Sequence, residues 1–218
     1  MATPLQLTPT EARVIASLAE KSIATPQYYP MTVNAIMLAS NQKSSRDPVM
    51  QLREGEVGAA LLDLQEKGLA RRDDAGSRVP KWRQSLQHHL LLQPPAFAVL
   101  ITLMLRGPQT PGELRSNAAG LGGPTDGEGL ARVLADLADR AEPLVVQLPR
   151  GAGQKEARFG HTLCGPPEPP PDRDTWGQAA EAPAPTPAAA ASPPALAALE
   201  ERLRQLEARV AALESRQG

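Results

Sequence analysis

The apolar residues of the chain change period at residue 68. Val57, Ala60, Leu61 and Leu64 recur at i, i+3, i+4 and i+7, the spacing that stacks side chains on one face of a helix. Gly68 can take the left-handed conformation that ends a helix. Residues 69–72 and 78–83 then flank an Asp/Gly turn at 73–76, which predicts a β-hairpin. The pattern recurs downstream. Leu130, Val133, Leu134 and Leu137 repeat the helical spacing within 126–140, and segments 144–148 and 156–163 flank a second turn at 151–153. Such repetition points to one small module made twice. A helix feeding a two-stranded hairpin is the rear half of a winged helix, the helix-turn-helix variant with a β wing.

The intervening segments fit this plan. Thr8 can cap a helix, Pro9 suits its first position, and Glu11 completes a capping box. Val14, Ile15 and Leu18 form its apolar face, and the helix is expected to stop at 22–24. A loop at 27–30 leads to a helix over 32–40 that buries Val33, Ile36 and Met37. The polar segment 41–48 reads as a loop. A short helix over 88–92 is expected to be stopped by Pro94 and Pro95. In the second copy, a helix over 98–105 places Leu100, Ile101 and Met104 where the first has Val14, Ile15 and Leu18. Thr110 and Pro111 align with Thr25 and Pro26. A helix over 112–119 and a mobile, glycine-rich connection over 120–129 complete the second module.

Beyond residue 164 the character changes. The Pro/Ala-rich segment 165–194 cannot bury enough apolar surface to offset chain entropy, so a disordered spacer is expected. In 195–216, Leu196, Leu199, Leu203, Leu206, Val210 and Leu213 alternate spacings of three and four, a heptad seam. Arg202 and Arg209 take g positions, and Glu207 and Glu214 the e positions of the next heptads. These pairs attract in a parallel coil, whereas an antiparallel one sets like charges together. The expected partner is therefore a second copy, in a parallel homodimer. The expected fold class is mainly α with small β-hairpin wings (α+β). Two tandem winged-helix domains (5–93 and 94–164) precede the spacer and a coiled-coil helix.

Composition narrows the function. Aromatics make up 3% of the 218 residues, so aliphatic side chains must fill the core, as in small helical domains. The net charge of −1 supplies no global field for nucleic acid, so any such contact needs a local cationic patch. A lone cysteine, Cys164, excludes an intrachain disulfide framework and fits a reducing cytoplasm. No secretory leader is visible, and no apolar run reaches the roughly 18 residues of a membrane span.

The chain resembles the YceH family of bacterial proteins. The resemblance covers residues 5 to about 163 and is carried by LTPTEARVIASLAEK (7–21), TPQYYPMTVNAI (25–36), NQKSSRDPVMQL (41–52) and LRGPQTPGELRS (105–116). It implies two winged-helix domains and brings no catalytic residues with it. The chain departs from the family pattern at Ser45, Asn117 and 120–129.

DNA is the first candidate partner. Wings commonly offer cations to phosphate. The first hairpin carries Arg71, Arg72, Arg78, Lys81 and Arg83, and the 41–46 loop adds Asn41, Gln42, Lys43 and Arg46. Against this, the helix expected to enter the groove exposes Glu54, Glu56, Asp63 and Glu66, which repel phosphates. A protein partner is the alternative. Gly58, Ala59 and Leu62 lie off the main apolar stripe and would admit a close neighbour, in the manner of an adaptor. Enzymatic activity is not expected, nor is a cofactor. No phosphate-binding loop ends in Gly-Lys-Ser/Thr. His161 and Cys164 supply only two of the ligands a zinc site needs.

Overall fold

The computed structural model describes residues 5–73, 79–150 and 156–167. Chain contacts divide the protein into two units, Met1–Pro170 and Pro171–Gly218, and every described residue lies in the first. The expected heptad helix at 195–216, and the spacer beyond residue 167, lie outside the described residues.

Thr8 starts α1 (Pro9–Ala24) as its pattern predicts. The hydroxyl accepts from Glu11 N at 3.2 Å, and the Glu11 carboxylate accepts from Thr8 N at 2.7 Å. Strand β1 (Met31–Thr32) then leads into α2 (Val33–Ser40), which the Thr32 hydroxyl caps. Helix α3 (Glu54–Glu66) buries Val57, Ala60, Leu61 and Leu64, and Gly68 takes φ +72° beyond it. Strands β2 (Ala70–Asp73) and β3 (Lys81–Gln84) pair antiparallel. Strand β1 joins the far edge of β3, pairing Met31 with Trp82, so the sheet runs β1-β3-β2. A two-residue strand has too few positions to show a period, which hid β1 from the sequence pattern.

Helix α4 (Leu86–His89) begins two residues before the expected 88–92 segment. The prolines after it start a helix rather than stop one. Pro94 and Pro95 open α5 (Pro94–Arg106), where the missing N–H has no intrahelical acceptor to lose. Helix α6 (Pro111–Ala118) is capped by Thr110, whose hydroxyl accepts from Glu113 N as Thr32 does from Ala35 N. Thr110 thus corresponds to Thr32 and not to Thr25. Gln109, just before it, bridges Phe159 as Met31 bridges Trp82. Helix α7 (Gly127–Ala138) precedes strands β4 (Val145–Leu148) and β5 (Arg158–His161), a second antiparallel pair.

Part of the glycine-rich connection packs closely. Gly123 N donates to Ala118 O at 3.0 Å, and a Cβ there would lie 2.6 Å from that of Ala118. Among the described residues the fold is mixed α/β, with seven helices and two small antiparallel sheets. The same element order occurs in both halves: helix, short strand or bridge, short helix, helix, hairpin.

One core cluster draws on both halves. Helix α1 packs on α2, α3 and β3 and also on α5. All residues from Glu11 to Ala19 are therefore buried, including Glu11 and Arg13, as are all residues from Phe97 to Leu105. A helix covered all round needs partners for its polar side chains. Glu11 finds Lys67 at 2.5 Å, and burial, which raises its pKa, is more than offset by Lys67 and Thr8. Leu7 N donates to Leu163 O, tying the start of the first half to the end of the second.

Candidate nucleic-acid interface

The register of β2 on β3 sorts the expected cations. Arg71 faces Arg83 and Asp73 faces Lys81, while Arg72 faces Trp82 and Ala70 faces Gln84. Side chains alternate across a strand, so Arg71, Asp73, Lys81 and Arg83 share one face. The other face carries Trp82, 4% exposed in the core. Arg71 is exposed and Lys81 half-buried. Arg83 is held in place. Its Nε donates to Asp73 Oδ2 at 2.5 Å, and its guanidinium carbon lies 5.4 Å from the centre of the Tyr29 ring. The Tyr29 hydroxyl accepts from Gln84 N at 2.6 Å, and burial raises its pKa. Arg72 is exposed, and Arg78 lies outside the described residues.

The 41–53 loop is fastened from below, and this turns two expected contacts inward. The Asn41 amide donates to Leu52 O and accepts from Leu52 N, both at 2.8 Å, closing the loop at its base. Arg46, expected at the surface, is 5% exposed. Its Nη1 and Nη2 reach the two Glu20 oxygens at 3.1 and 2.6 Å, and its remaining bonds go to the carbonyls of Ala39 and Ser45. Burial pushes the Glu20 carboxyl up, but Arg46, with Lys21 at 3.2 Å, outweighs it and holds the pKa below the ordinary value. The far side of the loop meets α5: Asp47 N donates to Leu105 O at 2.8 Å and Arg106 Nη2 to Ser45 Oγ at 2.6 Å. Lys43 is exposed and Gln42 half-buried.

Beside these cations, α3 shows an acidic outer face. Glu54, Glu56, Asp63 and Glu66 are exposed, and Leu62 is 57% exposed among them. In the second half, Arg158 is engaged by Glu113 at 2.9 Å and by the Pro108 carbonyl. A groove of about 460 Å³ runs between α6, α7 and the second hairpin, lined by Leu130, Leu134, Phe159 and the small residues Ala131, Ala135 and Ala138. Arg115 is the one charged residue among those lining it.

His161 lies on β5, and burial pushes its pKa down to about 4, with Nδ1 shielded and unpartnered. Burial raises the Cys164 thiol, as does the Glu11 charge. Among the described residues no three His, Cys, Asp or Glu side chains are grouped to hold a metal ion, and no helix is long and apolar enough to cross a membrane.

Sequence reasoning missed the structural roles of Arg13, Glu20 and Gln109. The signal for Arg13 and Glu20 was weak. Each is a charged residue flanking an apolar stripe, which marks burial only once a second helix covers that side.

The sequence relatives agree with one another. The family model described as a protein of unknown function, DUF480, matches residues 7–154. A UPF0502 protein of Geobacter metallireducens is 49% identical over 158 residues, 72% of each chain. One from Pelobacter propionicus is 50% identical over 156 residues, 72% of this chain and 71% of its own. A third, from Koribacter versatilis, is 47% identical over 159 residues, 73% of this chain and 74% of its own. A family match over residues 7–154, with relatives near half identity over about the same stretch, places this bacterial-type sequence in the DUF480 family of UPF0502 proteins.

Proposed function

We propose that each half is a winged helix and that the protein is a DNA-binding or regulatory protein that grips the nucleic-acid backbone with its first wing. The repeated order of helices, short strand and hairpin supports the two modules. The observation that carries the DNA reading is the β2–β3 register, which gathers Arg71, Lys81 and Arg83 on one face against a single carboxylate, Asp73. The exposed Lys43 supplies a further cation from the preceding loop. The acidic outer face of α3 argues for backbone contact over base reading.

Fluorescence anisotropy with a labelled duplex, repeated across a salt series, tests this. Each phosphate contact removed should flatten the log–log salt slope by about 0.9. R71A/K81A should therefore weaken binding for all sequences alike and lower the slope by up to about 1.8. Unchanged affinity and slope would remove the first wing from the account.

A second reading is a protein–protein adaptor without DNA binding. The groove beside α7 favours it: an apolar floor, alanine walls and one lip cation suit the apolar face of a partner segment. Total lack of nucleic-acid affinity at low salt would leave this reading in possession.

A further inference from the structure

The cationic face of the first hairpin has a counterpart in the second half, and the two compare position by position. Met31 pairs with Trp82 as Gln109 bridges Phe159. Counting from these pairs sets Arg83 against Gly160 and Tyr29 against Gly107. Across the hairpins, Arg71 pairs with Arg83 and Val146 with Gly160. Arg83 and Tyr29 are thus both replaced by glycine in the second half. The chain itself lies against that second face, since a Cβ on Gly160 would stand 2.8 Å from that of Pro167. Arg158, in the place of Lys81, is spent on Glu113 and the Pro108 carbonyl.

In the first half Arg83 is held from two sides. Its Nε donates to Asp73 Oδ2 at 2.5 Å, and its guanidinium carbon lies 5.4 Å from the centre of the Tyr29 ring. The ring is anchored in turn, because its hydroxyl accepts from N of Gln84, the residue after Arg83, at 2.6 Å. Among the described residues the Nε bond is the one side-chain hydrogen bond Arg83 makes, and the side chain is 36% exposed. The Nη1 and Nη2 donors are left to water or to a ligand that displaces it. Asp73 offsets one charge of the face and leaves Arg71 and Lys81 beside Arg83.

We propose that Tyr29 is a positioning residue, whose ring holds Arg83 so that its two Nη groups form a preset fork for one phosphate of the nucleic-acid backbone. This rests on the DNA reading above. An end-on guanidinium matches two phosphate oxygens. A mobile arginine gives up rotamer freedom when it binds, whereas one already fixed by a ring and a carboxylate has given it up on folding. The second half lacks both Tyr29 and Arg83, so the first wing alone carries the fork.

Anisotropy of the full chain with the labelled duplex, repeated across a salt series, tests the role. Y29L should weaken binding about three- to tenfold, the equivalent of immobilising one long side chain. Its salt slope should stay, because Arg83 still reaches the phosphate. R83M should weaken binding and flatten the slope by about 0.9. Y29L added to R83M should cost nothing further, a result that general loss of structure would not give. Y29F, which keeps the ring, should recover most of the affinity. Wild-type affinity in Y29L, or an equal loss from Y29L with and without Arg83, would overturn the positioning role while R71A/K81A still weakens binding. A wild type without affinity for the duplex would overturn both this role and the DNA reading. Should Y29L fail to fold, nitrogen-15 relaxation of Arg83 Nε in the unaltered chain decides: an order parameter near the rigid-backbone value of about 0.85 is expected, and one below about 0.6 refutes the clamp.

Discussion

Replacing Arg46 by Met separates the role expected from its sequence from the role its surroundings give it. The guanidinium makes bonds to both Glu20 oxygens and to the carbonyls of Ala39 and Ser45. Met keeps the chain length and apolar stem but leaves Glu20, whose side chain is 15% exposed, with Lys21 alone. Breaking a buried pair on one side costs about 3–5 kcal/mol. Lys21 and the residual exposure of Glu20 place R46M at the lower end, about 3 kcal/mol. For a chain of this size that lowers Tm by about 6–12 °C. E20M/R46M should recover most of the loss, because an apolar pair of similar volume needs no counter-charge.

The pH dependence follows from Glu20. Its folded pKa is depressed, so its contribution is present above the unfolded value of about 4.3 and is lost as pH falls through the folded value. In R46M burial acts on the carboxyl with only Lys21 opposing it, so its pKa rises relative to the wild type. The deficit of the variant should then be largest near neutrality and shrink in acid. Circular dichroism melts at neutral and acid pH measure this, with K43M as the surface control. An R46M protein that melts with the wild type yet loses nucleic-acid affinity would refute the structural role and restore the surface one.

Two further outcomes are expected. His161, with a folded pKa of about 4 against about 6.5 unfolded, is neutral in the fold, so stability should fall as pH drops from about 6.5 toward 4, by about 2–3 kcal/mol in all. H161F should flatten that window in denaturant titrations, and an NMR titration of His161 midway near pH 6.5 would contradict the shift. Removing residues 195–218, whose heptad pattern predicts a parallel pair, should halve the mass seen by light scattering; an unchanged mass would exclude that segment as the dimer contact.

Local patterns that depend on neighbours in the chain were legible in advance. The Thr8–Glu11 capping box, the α3 stripe of Val57, Ala60, Leu61 and Leu64, and the left-handed Gly68 all rest on interactions within a few residues. The repeat of helix and hairpin was legible for the same reason, because helical and strand periods differ. The two-residue strand β1 was not, since only the edge of β3 makes it a strand. Nor was the helix-starting role of Pro94 separable from a helix-stopping one until its neighbours were placed.

The candidate site divides along the same line. Sequence by itself established which residues carry charge and that Arg71, Lys81 and Arg83 stand near a hairpin. Only strand register decided that these three share a face, and only the packing of α1 against α2 and α5 decided that Asn41, Arg46 and Arg13 turn inward. A basic side chain reads the same in the sequence whether water or a buried carboxylate will meet it. The burial that separates the two outcomes comes from residues distant in the chain.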